Sequence, residues 1–301
     1  MSEPLNRRGL GRRLSALADA SVADVLALTA ELPVGDVPRI GLTGAPGVGK
    51  SSLAGRLALH RAASRRIGML AIDPTSPLSG GAILGDRIRL DELAGDHDIY
   101  LRSIASRSAT DGLADNLPEL LAAMDAAGFD EVLLETVGVG QAEHAVRSQV
   151  DTLALVLMPG SGDTVQAMKA GIMELADLYV INKCDLPGAA QLGAEIKRIQ
   201  ALARAADGWQ PPVVQTSIHD AQTIAELSAA IDRHQCWLAQ AGRRTQGRRD
   251  RARYRLRLLL ERRVAELIDS LDEDVLSQPL ATQFTALAET LASAPAGPRS
   301  R

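Results

Sequence analysis

Aromatic residues are nearly absent, at 2% of 301 residues. The core must therefore be built from Ala, Leu, Val and Ile, and a chain of this length with 46% hydrophobic residues can bury a full one. Cysteine is equally scarce. Cys184 and Cys236 belong to no CxxC and no Cys/His cluster, which argues against a disulfide framework and fits a reducing, cytoplasmic setting. No apolar run is long enough to span a bilayer, so no membrane role is expected. An excess of basic charge is also missing. The net charge is −4, and nothing in the overall balance points to nucleic acid or an anionic surface. The length allows one large α/β domain with extensions, or two small domains.

The N-terminus carries Arg7, Arg8, Arg12 and Arg13. Such a segment can be an organelle transit peptide. Glu3 and Asp19, with the apolar stripe Leu14, Leu17, Val22 and Leu26, fit a solvated amphipathic helix better. Pro33, Gly35 and Pro38 close this extension.

Beyond it, apolar strands alternate with helical patterns. Strands are expected at 40–43, 67–72, 132–134, 153–158, 178–181 and 213–214. Helices are expected at 50–64, 113–127, 163–175, 189–206 and 222–241. Continuous apolar strands alternating with helices predict an α/β fold, with a mostly parallel sheet covered on both faces. The expected organisation is an N-terminal helical extension (1–35), a nucleotide-binding domain (36–241) and a C-terminal helical arm (242–301).

The first expected strand runs into Gly44-Ala45-Pro46-Gly47-Val48-Gly49-Lys50-Ser51-Ser52. This is a complete G-x-x-x-x-G-K-S phosphate loop between a strand and a helix. Glycines let backbone N–H groups turn toward phosphates, and the helix that follows points its positive end at the same anions. Lys50 supplies a cation for the β- and γ-phosphates, and Ser51 a hydroxyl ligand for Mg²⁺.

Asn182-Lys183-Cys184-Asp185 follows the strand expected at 178–181. The Asp185 carboxylate can accept from guanine N1–H and the exocyclic amine. Adenine offers neither donor on that edge, so the site predicts GTP and GDP over ATP. Asn182 is expected to brace this loop and Lys183 to cover the base plane. Thr216, Ser217 and Ile218 follow a later strand and form a candidate second base loop.

Glu135 ends the strand expected at 132–134 and precedes Thr136-Val137-Gly138-Val139-Gly140-Gln141. A carboxylate there can hold Mg²⁺ through water, and the glycines allow a segment to swing with the γ-phosphate. Asp73 and Asp86 are further candidates for the metal shell or the attacking water.

Taken together, these runs resemble the methylmalonyl-CoA mutase-associated group of G3E-class GTPases, once labelled arginine/ornithine transport ATPases. The resemblance covers roughly residues 38–220. It rests on the phosphate loop, the segment from Asp73 through Asp86-Arg87, the Glu135–Gln141 segment, Met158-Pro159-Gly160-Ser161-Gly162-Asp163, and Gly171 to Asp177 leading to Asn182. It implies a GTPase that gates cofactor loading and protects an adenosylcobalamin-dependent acyl-CoA mutase, with Lys50, Asp73, Asp86 and Glu135 acting around Mg²⁺. It also implies mobile segments from Gln141 toward Gln166, and a homodimer formed through the C-terminal arm. One stretch departs from common members. Ile104 to Gly112 looks closer to the GTPase domain of fused isobutyryl-CoA mutases, which leaves the mutase partner open.

The C-terminal region is rich in arginine: Arg248, Arg249, Arg251, Arg253, Arg255 and Arg257. Leu256, Leu260, Val264, Leu267 and Leu271 form one apolar stripe at spacings of three and four. The pattern predicts a dimer arm whose arginines flank a helix–helix seam, and not a nucleic-acid surface. Two other functions compete. A metal-insertion GTPase would need clustered soft or imidazole ligands, whereas His60, His97, His144, His219 and His234 are scattered. A kinase or transport ATPase is opposed by Asp185. Arg107 and Arg147 are candidates for a rate-enhancing arginine supplied by the chain itself.

Overall fold

The computed structural model describes residues 6–33, 35–74, 98–106, 116–136, 142–160, 171–202, 208–240 and 242–293. Two short helices open the chain, α1 (Arg7–Ala18) and α2 (Val22–Thr29). Each starts on a side-chain cap. Asn6 accepts from Gly9 N–H, and Ser21 accepts from Asp24 N–H. This break rephases the expected stripe. Leu10, Leu14 and Leu17 are buried as the pattern requires, but Val25 takes the buried place and Leu26 stays 44% exposed.

The strands are β1 (Arg39–Thr43), β2 (Ile67–Pro74), β3 (Ile99–Ser106), β4 (Glu131–Glu135), β5 (Thr152–Leu157), β6 (Leu178–Ile181) and β7 (Val213–Gln215). They form one sheet in the order β3-β2-β4-β1-β5-β6-β7, with every pairing parallel. Between them run α3 (Lys50–Ala62), α4 (Leu117–Ala126), α5 (Ala142–Arg147), α6 (Ala189–Leu202) and α7 (Ala221–Gln240). The arm consists of α8 (Arg243–Asp269), α9 (Glu273–Leu276) and α10 (Leu280–Ser293).

Both faces of the sheet are covered, and the period of two assigns each residue to a layer. Val132 and Leu134 of β4 join Leu10, Leu14, Leu120 and Val146 on one face. Leu133 turns the other way and meets Leu53, Leu57, Leu227 and Ile231 of α3 and α7. A smaller cluster beneath α6 joins Leu155 and Leu157 to Tyr179 and Ile181. Each fully buried Leu or Ile contributes roughly 1.5–3 kcal/mol. Aliphatic packing thus replaces the aromatic core that the composition rules out.

Three sequence expectations change. β3 was not anticipated, because an edge strand with Arg102 and Ser103 inside it lacks a continuous apolar run. The helix expected over 163–175 is, where described, a single 3₁₀ turn at Ile172–Leu175. The arginines of α8 do not simply line a free seam. Arg251 pairs with Asp151 at 2.6 Å, Arg255 with Glu119 at 2.9 Å, and Arg262 with Asn116. Charge helps hold the arm to the sheet's helical layer, and its apolar stripe divides: Leu267 is buried at 7% exposure, while Leu256 at 60% and Leu260 at 47% face outward.

Candidate nucleotide site

In a parallel sheet every strand ends on the same edge. The segments following β1, β4, β6 and β7 therefore converge beyond their carboxyl ends, where open α/β sheets bind ligands. β1 lies between β4 and β5, which puts the phosphate loop at the centre of that edge.

The loop's glycines are fixed by contact as well as by backbone angle. Gly44 has φ +145°, and a Cβ there would stand 2.1 Å from the Val156 carbonyl oxygen. Gly49 has φ +89°, and its Cβ would meet Asn182 Nδ2 at 2.6 Å. Neither place admits a side chain. Gly49 also caps α3, whose first residue is Lys50. The Lys50 ammonium folds over the loop and donates to the carbonyls of Gly44 at 2.8 Å and Ala45 at 3.0 Å.

The base loop is fastened to the phosphate loop. Asn182 Nδ2 donates to the Val48 carbonyl at 2.8 Å, and Lys183 Nζ donates to the Gly47 carbonyl at 2.9 Å. Lys183 is the one non-glycine residue with positive φ, at 55°, among the described residues. Such a conformation persists only where its surroundings enforce it, and the Lys183–Gly47 bond is one such constraint. The Thr216 hydroxyl donates to Asn182 Oδ1 at 3.2 Å, and the Thr216 carbonyl accepts from Cys184 N–H at 3.0 Å. Asp185 accepts a hydrogen bond from Ser217, which holds its carboxyl below the usual range and keeps it ionised. Sequence reading missed Thr223, whose hydroxyl accepts from Ser217 N–H at 3.0 Å and donates to the Asp220 carbonyl at 2.7 Å. Its signal was a hydroxyl residue in the first turn of a helix.

On the metal side, the Ser51 hydroxyl donates to the Glu135 carboxylate, joining α3 to the end of β4. Thr136 Oγ1 lies 3.3 Å from Thr43 Oγ1 just behind them. A hydroxyl and a carboxylate in contact form an all-oxygen donor set suited to a hard divalent cation. The side chains of Asp73, Asp86 and Arg107 lie outside the described residues, as do residues 137–141. Ile218 follows Thr216 and Ser217 in the second loop.

Arg147 does not join this site. It pairs with Asp177 at 2.8 Å, at the amino end of β6. That places it a strand length from Asn182, at the opposite edge of the sheet, and removes it as an arginine acting on the phosphates.

The profile of the methylmalonyl-CoA mutase-associated GTPase MeaB matches residues 16–272. The chain belongs to the MeaB family of GTPases. A putative GTPase of Pyrococcus abyssi is 40% identical over 77% of this chain and 72% of its own length. A putative GTPase of Pyrococcus horikoshii is 35% identical over 91% of this chain and 89% of its own. Among solved structures, one described as LAO/AO transport system kinase superposes with a TM-score of 0.63 at 25% identity, covering 97% of this chain and 100% of that one. The MeaB-family chain is thus a guanine-nucleotide-binding GTPase. None of its described helices is long and apolar enough to cross a membrane.

Proposed function

We propose that this GTPase is a nucleotide-operated chaperone for an adenosylcobalamin-dependent acyl-CoA mutase, gating cofactor loading and protecting or reactivating the enzyme. The observation that carries the reading is the Ser51–Glu135 contact. It connects the metal-side hydroxyl of the phosphate loop to the carboxylate that opens the segment before α5. Glu135 thereby links the phosphate side of the site to the chain that leads on to α5, a route by which nucleotide state would reach a partner. The family's association with methylmalonyl-CoA mutase supplies the partner class.

In this reading Ser51 and Glu135 hold Mg²⁺, with Asp73 and Asp86 as the further carboxylates. A cation held there would supply neutralisation of the charge building on the transferred phosphoryl group. Lys50 exchanges its two carbonyl partners for the β- and γ-phosphates. Gly44 to Ser52 enclose the phosphates, and Asn182, Lys183, Asp185 and the 216–218 loop hold guanine. Residues 1–35, 36–241 and 242–301 serve as extension, nucleotide domain and dimer arm. The exposed Leu256, Leu260, Leu280 and Phe284 favour a homodimer.

The test is co-purification with candidate mutases, with GTP turnover measured with and without each. A mutase that binds and changes turnover supports the chaperone role. If no mutase binds or alters turnover, that role fails while the GTPase assignment stands.

A further inference from the structure

Arg8 and Arg12 stand about one turn apart on α1, and Arg102 comes from the middle of β3. With Gly11 and Ser15 they line a cavity of about 660 Å³. It is a shallow cavity, wide open to solvent. The walls are anchored. Leu10, Leu14 and Leu17 fix the opposite side of α1 in the core at 0–1% exposure, and Arg102 pairs through the β3 backbone with Leu70 of β2.

The donors of this cavity are only partly used. Arg102 Nη2 donates to Ser15 Oγ at 2.7 Å, which orients the guanidinium, while its buried Nε has no hydrogen-bond partner. Arg8 and Arg12 form no ion pair among the described residues. Neighbouring basic residues behave differently, since Arg66 and Arg7 lie 3.0 Å and 3.9 Å from Asp98. Three positive charges are thus concentrated in a concavity on a protein whose net charge is −4. A concave patch of one sign focuses the field and gathers counter-ions.

The donor chemistry selects the ligand. Guanidinium groups are planar forks that match two oxygens of one oxyanion, and a hydroxyl adds another contact. The described residues that line the cavity include no aromatic side chain. Two strands, β2 and β4, separate β3 from β1, so this is not an outer part of the GTP site. We propose that this cavity binds a phosphate-bearing small molecule, independently of the guanine nucleotide, and so clamps α1 to the sheet edge.

Full-length protein saturated with GDP is titrated calorimetrically with inorganic pyrophosphate and, separately, with glycerol 3-phosphate. One further equivalent is expected to bind, with affinity falling at least tenfold in Arg102→Gln and in the double variant Arg8→Ala/Arg12→Ala. GDP affinity and GTP turnover should stay as in the wild type. Binding of pyrophosphate alone identifies a diphosphate ligand, and binding of the ester identifies a phosphate monoester; either supports the site. The double variant changes exposed residues only, so it remains informative if Arg102→Gln fails to fold. The proposal is overturned if neither probe binds the GDP-saturated wild type, if the double variant binds equally well, or if excess GDP displaces the probe. It is also overturned if an oligoglutamate peptide binds where both phosphates fail.

Discussion

Asn182 Nδ2 donates to the carbonyl of Val48 at 2.8 Å, so the loop after β6 is fastened to the loop after β1. The same amide accepts from Thr216 through its oxygen at 3.2 Å. One side chain thus ties together the three loops proposed to hold phosphate and base. Asn182→Ala removes both bonds and leaves the Val48 carbonyl and the Thr216 hydroxyl without these partners. Each such loss costs about 1–3 kcal/mol. GDP affinity is expected to fall by about 10- to 100-fold, and melting of the nucleotide-free protein falls too, since both bonds are already made there. Calorimetric titration with GDP checks this, and unchanged affinity refutes the bracing role.

Asp185 tests base selection. It is exposed and kept ionised by its hydrogen bond from Ser217 of the second base loop. Asp185→Ala should weaken GTP binding strongly while leaving the weak binding of ATP unchanged, so the preference between them collapses. Competition between the two nucleotides for a fluorescent GDP analogue measures the ratio. A variant that still prefers GTP by the wild-type margin would place guanine recognition elsewhere.

These two loops were legible in the sequence because their chemistry sits in short contiguous runs, each at the end of an apolar strand. The arm was legible only as a helix. What its arginines do depends on Asp151 and Glu119, which lie 100 and 136 positions away along the chain. No local pattern encodes such pairs. β3 was hidden for a different reason: an edge strand needs only one dry face, so its polar residues masked it. Arg147 was misread as a possible phosphate-facing arginine because nearness in sequence to the Glu135 segment does not reveal which edge of the sheet a helix end reaches.

The arm's attachment gives a stability prediction. Glu119 is buried at 1% exposure, and burial pushes its carboxyl up while Arg255 pulls it down. Arg255→Ala leaves that carboxylate without its nearest cation, a change that costs about 3–5 kcal/mol when an ion-pair partner is buried. The partial exposure of Arg255 puts the expected loss at the lower end. Adding Glu119→Gln removes the uncompensated charge and should restore most of the stability. Urea denaturation of the single and double variants checks it. If the double variant is no more stable than Arg255→Ala alone, the charge is not what holds α8 to α4.

Glu135 and Ser51 give a metal prediction. If their contact marks the cation's seat, Glu135→Gln weakens the cation's electrostatic hold while preserving shape. The Mg²⁺ concentration for half-maximal GTP turnover should rise about 10- to 100-fold, with GDP affinity in the absence of metal unchanged. Ser51→Ala should act in the same direction. A Mg²⁺ dependence identical to wild type in both variants would exclude this pair as the metal site.

The far edge of the sheet carries a pair whose titrations oppose each other. His234 is fully buried on α7, with Nδ1 2.9 Å from Thr152 Oγ1 and Nε2 3.4 Å from Asp177 Oδ1. Arg147, Arg251 and Asp151 are the other charged groups around this cluster. Burial raises the Asp177 pKa to about 6, outweighing Arg147 and the Leu153 N–H. Burial, reinforced by Arg147, lowers the His234 pKa to about 4. Between pH 4 and 6, native Asp177 holds a proton that the unfolded chain has released, so its contribution to stability falls as pH rises. Over nearly the same window the unfolded chain holds a proton on this histidine that the native state lacks, so that contribution falls as pH drops. Each slope approaches about 1.4 kcal/mol per pH unit, and in the wild type they nearly cancel. His234→Gln removes one of them. Relative to wild type, this variant should gain stability as pH is lowered from 6.5 to 4, whereas Asp177→Asn should lose stability over the same range. Denaturation midpoints at pH 4, 5, 6 and 7 give both differences, and the background titration of other groups drops out of each comparison. Slopes of the same sign in the two variants would show that burial does not shift Asp177 and His234 in these opposed directions.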